Sequence, residues 1–310
     1  MKFSVLVFLI FTTILSCFSQ EKAYLFSYFV KNGEDGLHLA YSYDGLKWKA
    51  LNDNKSFLTP EVGGDKLMRD PCVIIGPEGK YHMVWTVSWK EKGIGYASSE
   101  DLINWSEQKH IPVMEHEPEA KNCWAPEVFY DEASKQYMIF WSTTIPGRFP
   151  ETDKQGDSDY NHRMYYVTTK DFEEFSETKL LYDQGFNVID GTLIKEQGEY
   201  VMFLKDETRH LAEKNIRIAR SKELSQNYSK ATEPITGDYW AEGPTPVKSG
   251  DYGIVYFDKY RKNKVGAVRS QDLKNWEDIS DIVKFPKGTR HGTVFTVDKK
   301  VVTQLKKYKN

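Results

Sequence analysis

One short pattern recurs five times along the 310-residue chain, from Gly36 to Trp48, Gly93 to Trp105, Arg163 to Phe175, Asn215 to Tyr228 and Lys264 to Trp276. Each copy reads as a short alternating strand, a polar turn and then an aromatic residue. A strand-built unit repeated at roughly 40–50 residues is the signature of a β-propeller. Four copies follow a complete hairpin. Their preceding strands read Tyr81 to Thr86, Tyr137 to Ser142, Tyr200 to Leu204 and Tyr252 to Phe257. Before each comes a turn and a first strand: Asp70 to Ile75, Ala125 to Tyr130, Asp190 to Ile194 and Glu242 to Val247. Two incomplete pieces remain, Tyr24 to Trp48 and His291 to Leu305. Together they make a fifth blade, so the expected fold is an all-β, five-bladed propeller whose C-terminal strand completes the N-terminal blade. Closure of this kind removes the free sheet edges that an open sandwich would expose.

Residues 1–20 stand apart. Lys2, the apolar run Phe3 to Leu15 and the small residues Ser16, Cys17 and Ser19 read as a secretory signal. The run is too short to cross a bilayer. The expectation is an exported protein, periplasmic or at the cell surface, with residues 21–310 forming one propeller domain that acts as a monomer. Ile14-Leu15-Ser16-Cys17 is similar to a bacterial lipoprotein box, and lipidation of Cys17 would be the one route to a membrane. Cleavage after Ser19 is preferred, because Leu15 suits the lipoprotein box poorly. A net charge of -3 argues against nucleic acid as partner. Cys72 and Cys123 lack metal-type spacing and read as buried small residues. Two long connections, 106–123 and Pro146 to Asn161, are placed to shape a binding face.

The chemistry sits at the first strands. Read as equivalent points, blade by blade, these carry Asp70, Ala125 with Glu127 close by, Asp190, Glu242 and His291. First strands line a propeller's axis, so three carboxylates distant in sequence converge at one mouth. Convergent carboxylates repel and are rarely gathered for stability. They serve either a site of hard oxygen ligands or acid–base chemistry in which environment separates their proton affinities. Glycoside hydrolysis needs the second: one protonated carboxyl for the leaving oxygen and one ionised carboxyl.

The local words Met68-Arg-Asp-Pro71, Trp124-Ala-Pro-Glu127, Ile189-Asp-Gly191, Ala241-Glu-Gly-Pro244 and Arg290-His-Gly292, in that order on five blades, resemble glycoside hydrolase family 43. The resemblance covers about residues 23–305. It implies a five-bladed propeller that hydrolyses glycosides with inversion. It also implies Asp70 as the base that activates water, Glu242 as the acid and Asp190 as the residue that orients that acid. The Ile189-Asp-Gly191 word departs from the family's usual Ile-Asp-Pro but keeps the carboxylate. The same resemblance makes His291 a candidate to hold a structural calcium ion through waters; no cofactor is required for the chemistry. Arg69, Trp124, Glu127, His162 and Arg290 are the candidates for sugar contact, with Lys259 a weaker one.

A sialidase is the rival enzyme, since Ser42 to Trp48 looks somewhat like that group's Asp-box, but no set of arginines occupies the axial strands. A phosphorylase on a similar ring would need several basic residues at the mouth. A non-catalytic sugar-binding propeller would have no need of three acids. The expected substrate is a plant-type oligo- or polysaccharide trimmed of terminal sugars. α-L-Arabinofuranosidase is the first choice, and β-xylosidase, exo-β-galactosidase or β-galactofuranosidase the alternatives.

Overall fold

The computed structural model describes residues 21–309; the segment expected to be a secretory signal, with Cys17, lies outside the described residues. Five antiparallel sheets form the blades. Blade 1 combines Lys22–Tyr28, His38–Ser42 and Lys49–Ala50 with the C-terminal strand Gly292–Asp298. Blade 2 holds Arg69–Ile75, Tyr81–Thr86, Ile94–Ser99 and Lys109–Ile111; blade 3 holds Trp124–Asp131, Gln136–Thr144, His162–Thr169 and Lys179–Tyr182. Blade 4 has three strands, Val188–Glu196, Glu199–Asp206 and Asn215–Ser221. Blade 5 holds Glu242–Ser249, Tyr252–Lys259, Lys264–Ser270 and Glu277–Asp278.

The five innermost strands touch their neighbours all the way round, from Arg69–Ile75 through to Gly292–Asp298 and back. The ring is sealed by the pairing of Lys22–Tyr28 with Gly292–Asp298, in register from Lys22 opposite Asp298 to Tyr28 opposite Gly292. The expected C-terminal strand is shorter than the sequence suggested. It stops at Asp298, and Lys299–Leu305 forms an α-helix that buries Val302 and Leu305. Those two side chains are one turn apart and share a face, which lets the helix cap a core that also contains Leu25, Leu39, Met83 and Trp85.

The recurring sentence is an outer turn with one wiring plan. In blade 2, Ser99 Oγ accepts the Asp101 and Leu102 amides, Asp101 Oδ1 accepts those of Ile103 and Asn104, and Trp105 Nε1 donates to the Leu102 carbonyl. Ser42–Asp44–Trp48 repeats it in blade 1, and Thr169–Asp171 and Ser270–Asp272 repeat its side-chain caps. Short polar side chains that cap turn amides are the physical reason for Ser, Thr and Asp there.

The inner strands share a second device. Four of the five are bulged near the start, with the register shifting between Arg69 and Cys72, Trp124 and Glu127, Ile189 and Thr192, and Glu242 and Thr245. In each bulge one residue is left-handed: Asp70 (φ 52), Ala125 (φ 46), Asp190 (φ 52) and Gly243 (φ 60). Bulges re-aim side chains, and here all four do so at the mouth.

Candidate active site

The bulges correct the sequence alignment of the acids. Asp70 and Asp190 occupy the left-handed position itself, but in blade 5 that position is Gly243. Glu242 stands one residue earlier, level with Arg69, Trp124 and Ile189, and faces Asp258 across the hairpin as Arg69 faces Thr86. Aligning the blades on Pro71, Pro126 and Pro244 would have revealed the offset. Its consequence is chemical: two acids lean toward the axis while the third leans toward blades 4 and 5.

Asp70 and Asp190 meet at His291. Nδ1 of the imidazole lies 3.3 Å from Asp70 Oδ1 and 3.9 Å from Asp190 Oδ2. Asp70 Oδ2 accepts from Thr86 Oγ1 at 2.9 Å, and that hydroxyl in turn accepts the Ala125 amide. Burial pushes the Asp70 carboxyl up, but the hydrogen bond and charge of His291, the Arg69 charge and the Thr86 hydroxyl together hold it below the usual carboxylate range. Asp190 behaves oppositely: burial, aided by the Glu242 and Asp70 charges and opposed by His291 and Lys205, raises it to about 6. Its Oδ2 accepts the Gly243 amide at 3.0 Å, so Asp190 holds the backbone next to Glu242.

Glu242 sits between two cations. Lys205 Nζ approaches Oε2 at 3.1 Å and Arg290 approaches Oε1 at 3.5 Å, while Arg290 Nε donates to Asp258 Oδ2 at 2.6 Å. With 21% of its side chain exposed, against 12% for Asp70 and 6% for Asp190, Glu242 is the most accessible of the three acids. The carboxylates are thus placed in three different electrostatic settings.

The aromatic wall also forms. Trp124 packs edge-on against Trp89 at 5.4 Å between centroids and against Tyr160 and His162 at 4.6 and 5.0 Å. Arg69 stacks on Trp89 and Phe29 and donates to Asn32 Oδ1. His162 is buried, and neither ring nitrogen has a hydrogen-bond partner. Burial first, with the Lys205 and Lys214 charges, brings its proton affinity down to about 4 against the pull of Glu207 and Asn187, leaving a neutral ring. Tyr160 reaches the wall on the long loop of blade 3, whose Asp157 pairs with Lys214 and Arg209.

Three expected contacts fall elsewhere. Glu127 does not face a sugar pocket. It is 5% exposed inside the channel, bonded to Thr192, Thr293 and the Cys72 thiol, and it lines a cavity of about 400 Å³ further down the inner strands. Burial raises its carboxyl to about 7. The bulge explains the misplacement: an extra residue between Trp124 and Glu127 turns the latter inward. Arg290 serves Glu242 and Asp258, and Lys259 turns away onto the Tyr239 ring. His291, the candidate for a water-held calcium ion, lies buried in the channel against Asp70 and Asp190. Burial lowers its proton affinity, but the hydrogen bond to Asp70 and the charges of Asp190, Asp70 and Glu127 outweigh that and raise it to about 9. No group of three or more potential metal ligands occurs among the described residues. Cys72 and Cys123 are buried free thiols.

Sequence reasoning missed Thr86, Trp89, Tyr160, Lys205 and Asp258. A signal for three of them was present. The second strands end at the mouth in polar residues, Thr86, Lys205-Asp206 and Asp258-Lys259, after apolar runs.

A closed five-bladed ring with three carboxylates at one mouth, walled by aromatics, defines a carbohydrate-active propeller. A family model described as a probable glycosyl hydrolase domain, related to family 43, matches residues 20–302. The chain belongs to this family of glycosyl hydrolases. It is 28% identical over 246 residues to an α-L-arabinofuranosidase of Bifidobacterium longum subsp. longum, a match covering 66% of this chain; it spans only 22% of that relative's length. Among solved structures, a thermostable family-43 glycoside hydrolase shares the fold at a TM-score of 0.54 and 18% identity, over 72% of this chain and 78% of that one. An α-L-arabinofuranosidase from Lactobacillus brevis does so at 0.52 and 16%, over 69% and 72%.

Proposed function

We propose that the protein is an inverting glycosidase that releases terminal sugars, with α-L-arabinofuranosides as its first substrate class. The observation that carries the reading is the contrast between Asp70 and Glu242. Asp70 is held anionic by His291, Arg69 and Thr86, as a base that activates water must be. Glu242 is the exposed acid on the other side of the mouth, its backbone braced by Asp190. In the proposed step the Glu242 proton passes to the glycosidic oxygen, the bond from that oxygen to the anomeric carbon breaks with its electron pair, and water attacks that carbon while giving a proton to Asp70. The neutral, unpartnered His162 beneath Trp124 is suited to a sugar hydroxyl. The likeness to the Bifidobacterium longum α-L-arabinofuranosidase supports arabinofuranose over xylose or galactose as the first sugar to test.

Two measurements test this. Aryl glycosides of α-L-arabinofuranose, β-D-xylose, β-D-galactose and β-D-galactofuranose are assayed in parallel; turnover of the first is expected, and silence on all four sinks the exo-glycosidase reading. Asp70→Asn and Glu242→Gln are each expected to lower kcat on an unactivated substrate by at least about 10³-fold, as loss of acid–base catalysis typically costs about 10²–10⁴. Hydrolysis by both variants at the parent's rate would sink the assignment of catalysis to these two residues.

A further inference from the structure

Lys205 is an ammonium group with 2% of its side chain exposed, at the end of the second strand of blade 4. A buried lysine normally sheds its proton. Here burial is outweighed by the charges of Glu207 and Glu242, and the group stays cationic. Its Nζ lies 2.6 Å from Glu207 Oε2 and 3.1 Å from Glu242 Oε2, over the Tyr260 ring at 4.8 Å. Behind it, Glu207 Oε1 takes Lys214 at 2.5 Å, and Lys214 takes Asp157 of the long blade 3 loop at 2.6 Å. Alternating charges therefore run from that loop to Glu242. The titratable groups around Glu242 are Lys205 on one oxygen, Arg290 on the other, Asp258 beyond Arg290, and Asp190 and Tyr260 alongside.

We infer that Lys205, held in place by Glu207, is a positioning residue for the proton donor: it orients Glu242 and stabilises the carboxylate that forms as the proton leaves. This rests on the reading of Glu242 as the acid. The physical reason is differential. A fixed cation 3.1 Å from Oε2 interacts weakly with a neutral carboxyl and strongly with a carboxylate. Its effect therefore grows along the reaction coordinate, which is the condition for lowering a barrier. Preorganisation matters as well, because Lys205 is buried and held 2.6 Å from Glu207 Oε2. Arg290 is shared between Glu242 and Asp258, lying closer to Asp258; Lys205 is shared with Glu207, which Lys214 in turn partly neutralises.

The test compares Lys205→Met, Lys205→Arg and Glu242→Gln on two aryl glycosides of the sugar that turns over, one with a phenol leaving group and one with 2,4-dinitrophenol, which departs without a proton. Lys205→Met is expected to lose about 100-fold in kcat on the phenyl glycoside and less than about 5-fold on the dinitrophenyl glycoside, within the range of acid catalysis. Lys205→Arg should recover most of the phenyl activity. Equal losses on both substrates, with no recovery in Lys205→Arg, would overturn the inference and leave a merely structural lysine. Glu242→Gln separates the two layers: if it shows no leaving-group selectivity, the acid assignment fails; if it shows it and Lys205→Met does not, only the role of Lys205 fails. Should Lys205→Met not fold by circular dichroism, Glu207→Gln decides in its place, with selective loss supporting the inference and uniform loss overturning it.

Discussion

At the scale of single residues, His291 does most to set the site's charge. Its folded-state proton affinity is raised to about 9, above the ordinary histidine value of 6.5. For a raised group the stabilisation is complete below the unfolded value and is lost as pH climbs through the folded one. The protein should therefore lose stability between about pH 6.5 and 9, by on the order of 3 kcal/mol at most from this group. Thermal unfolding followed across that range in the parent and in His291→Gln checks this: the parent's Tm should fall with pH, and the variant's should fall less steeply. Parallel slopes would mean the imidazolium is not the source. The residue scale was also where sequence was least reliable. Asp70, Asp190 and Glu242 were legible because the recurring outer turn fixes the register of the inner strands that each of them heads. Lys205 was hidden because a lysine ending an apolar strand looks like any solvated end. Only the cross-strand partner and the inner-strand neighbour show that it is buried. Glu127 was misread because one bulged residue reverses which way a side chain points.

At the scale of elements, the bulged start of four of the five inner strands is the working unit. Gly243 shows why blade 5 differs. A β-carbon there would lie 2.3 Å from the His291 ring at a φ of +60, so Glu242 must occupy the preceding residue. Gly243→Ala should destabilise the fold by roughly 1–3 kcal/mol, the cost of a strained backbone position, and lower kcat by displacing both Glu242 and His291. A Tm drop with unchanged kcat would show that the bulge is structural only. The outer turns should behave oppositely. Asp101→Ala removes the acceptor of two turn amides and should cost about 1–2 kcal/mol in urea unfolding with kcat intact. These turns gave the clearest sequence signal of all, since their capping pattern is local. The short C-terminal helix gave none strong enough to compete with the strand pattern before it.

At the scale of the whole molecule, the ring positions the acids, and its closure depends on one strand. Deleting the chain from Gly292 onward would leave Lys22–Tyr28 with an unpaired edge and would expose the core beneath Val302 and Leu305. Unpaired edges of this kind invite association. The truncated chain is expected to elute as aggregate in size exclusion and to lack a cooperative unfolding transition; a monodisperse, cooperatively folding product would show that the closing strand is dispensable. Ring closure was readable from the two incomplete pieces because complementarity of fragments needs no side-chain geometry. The placement of the acids within the ring needed the bulges. The central claim is that Asp70 and Glu242 work on opposite faces of the sugar, with water between them. The most direct measurement is the anomeric configuration of the first product, followed by proton NMR from the earliest minutes of hydrolysis of an aryl α-L-arabinofuranoside. The β-anomer should appear first and then mutarotate; initial release of the α-anomer would mean retention and would contradict the arrangement proposed for these two carboxylates.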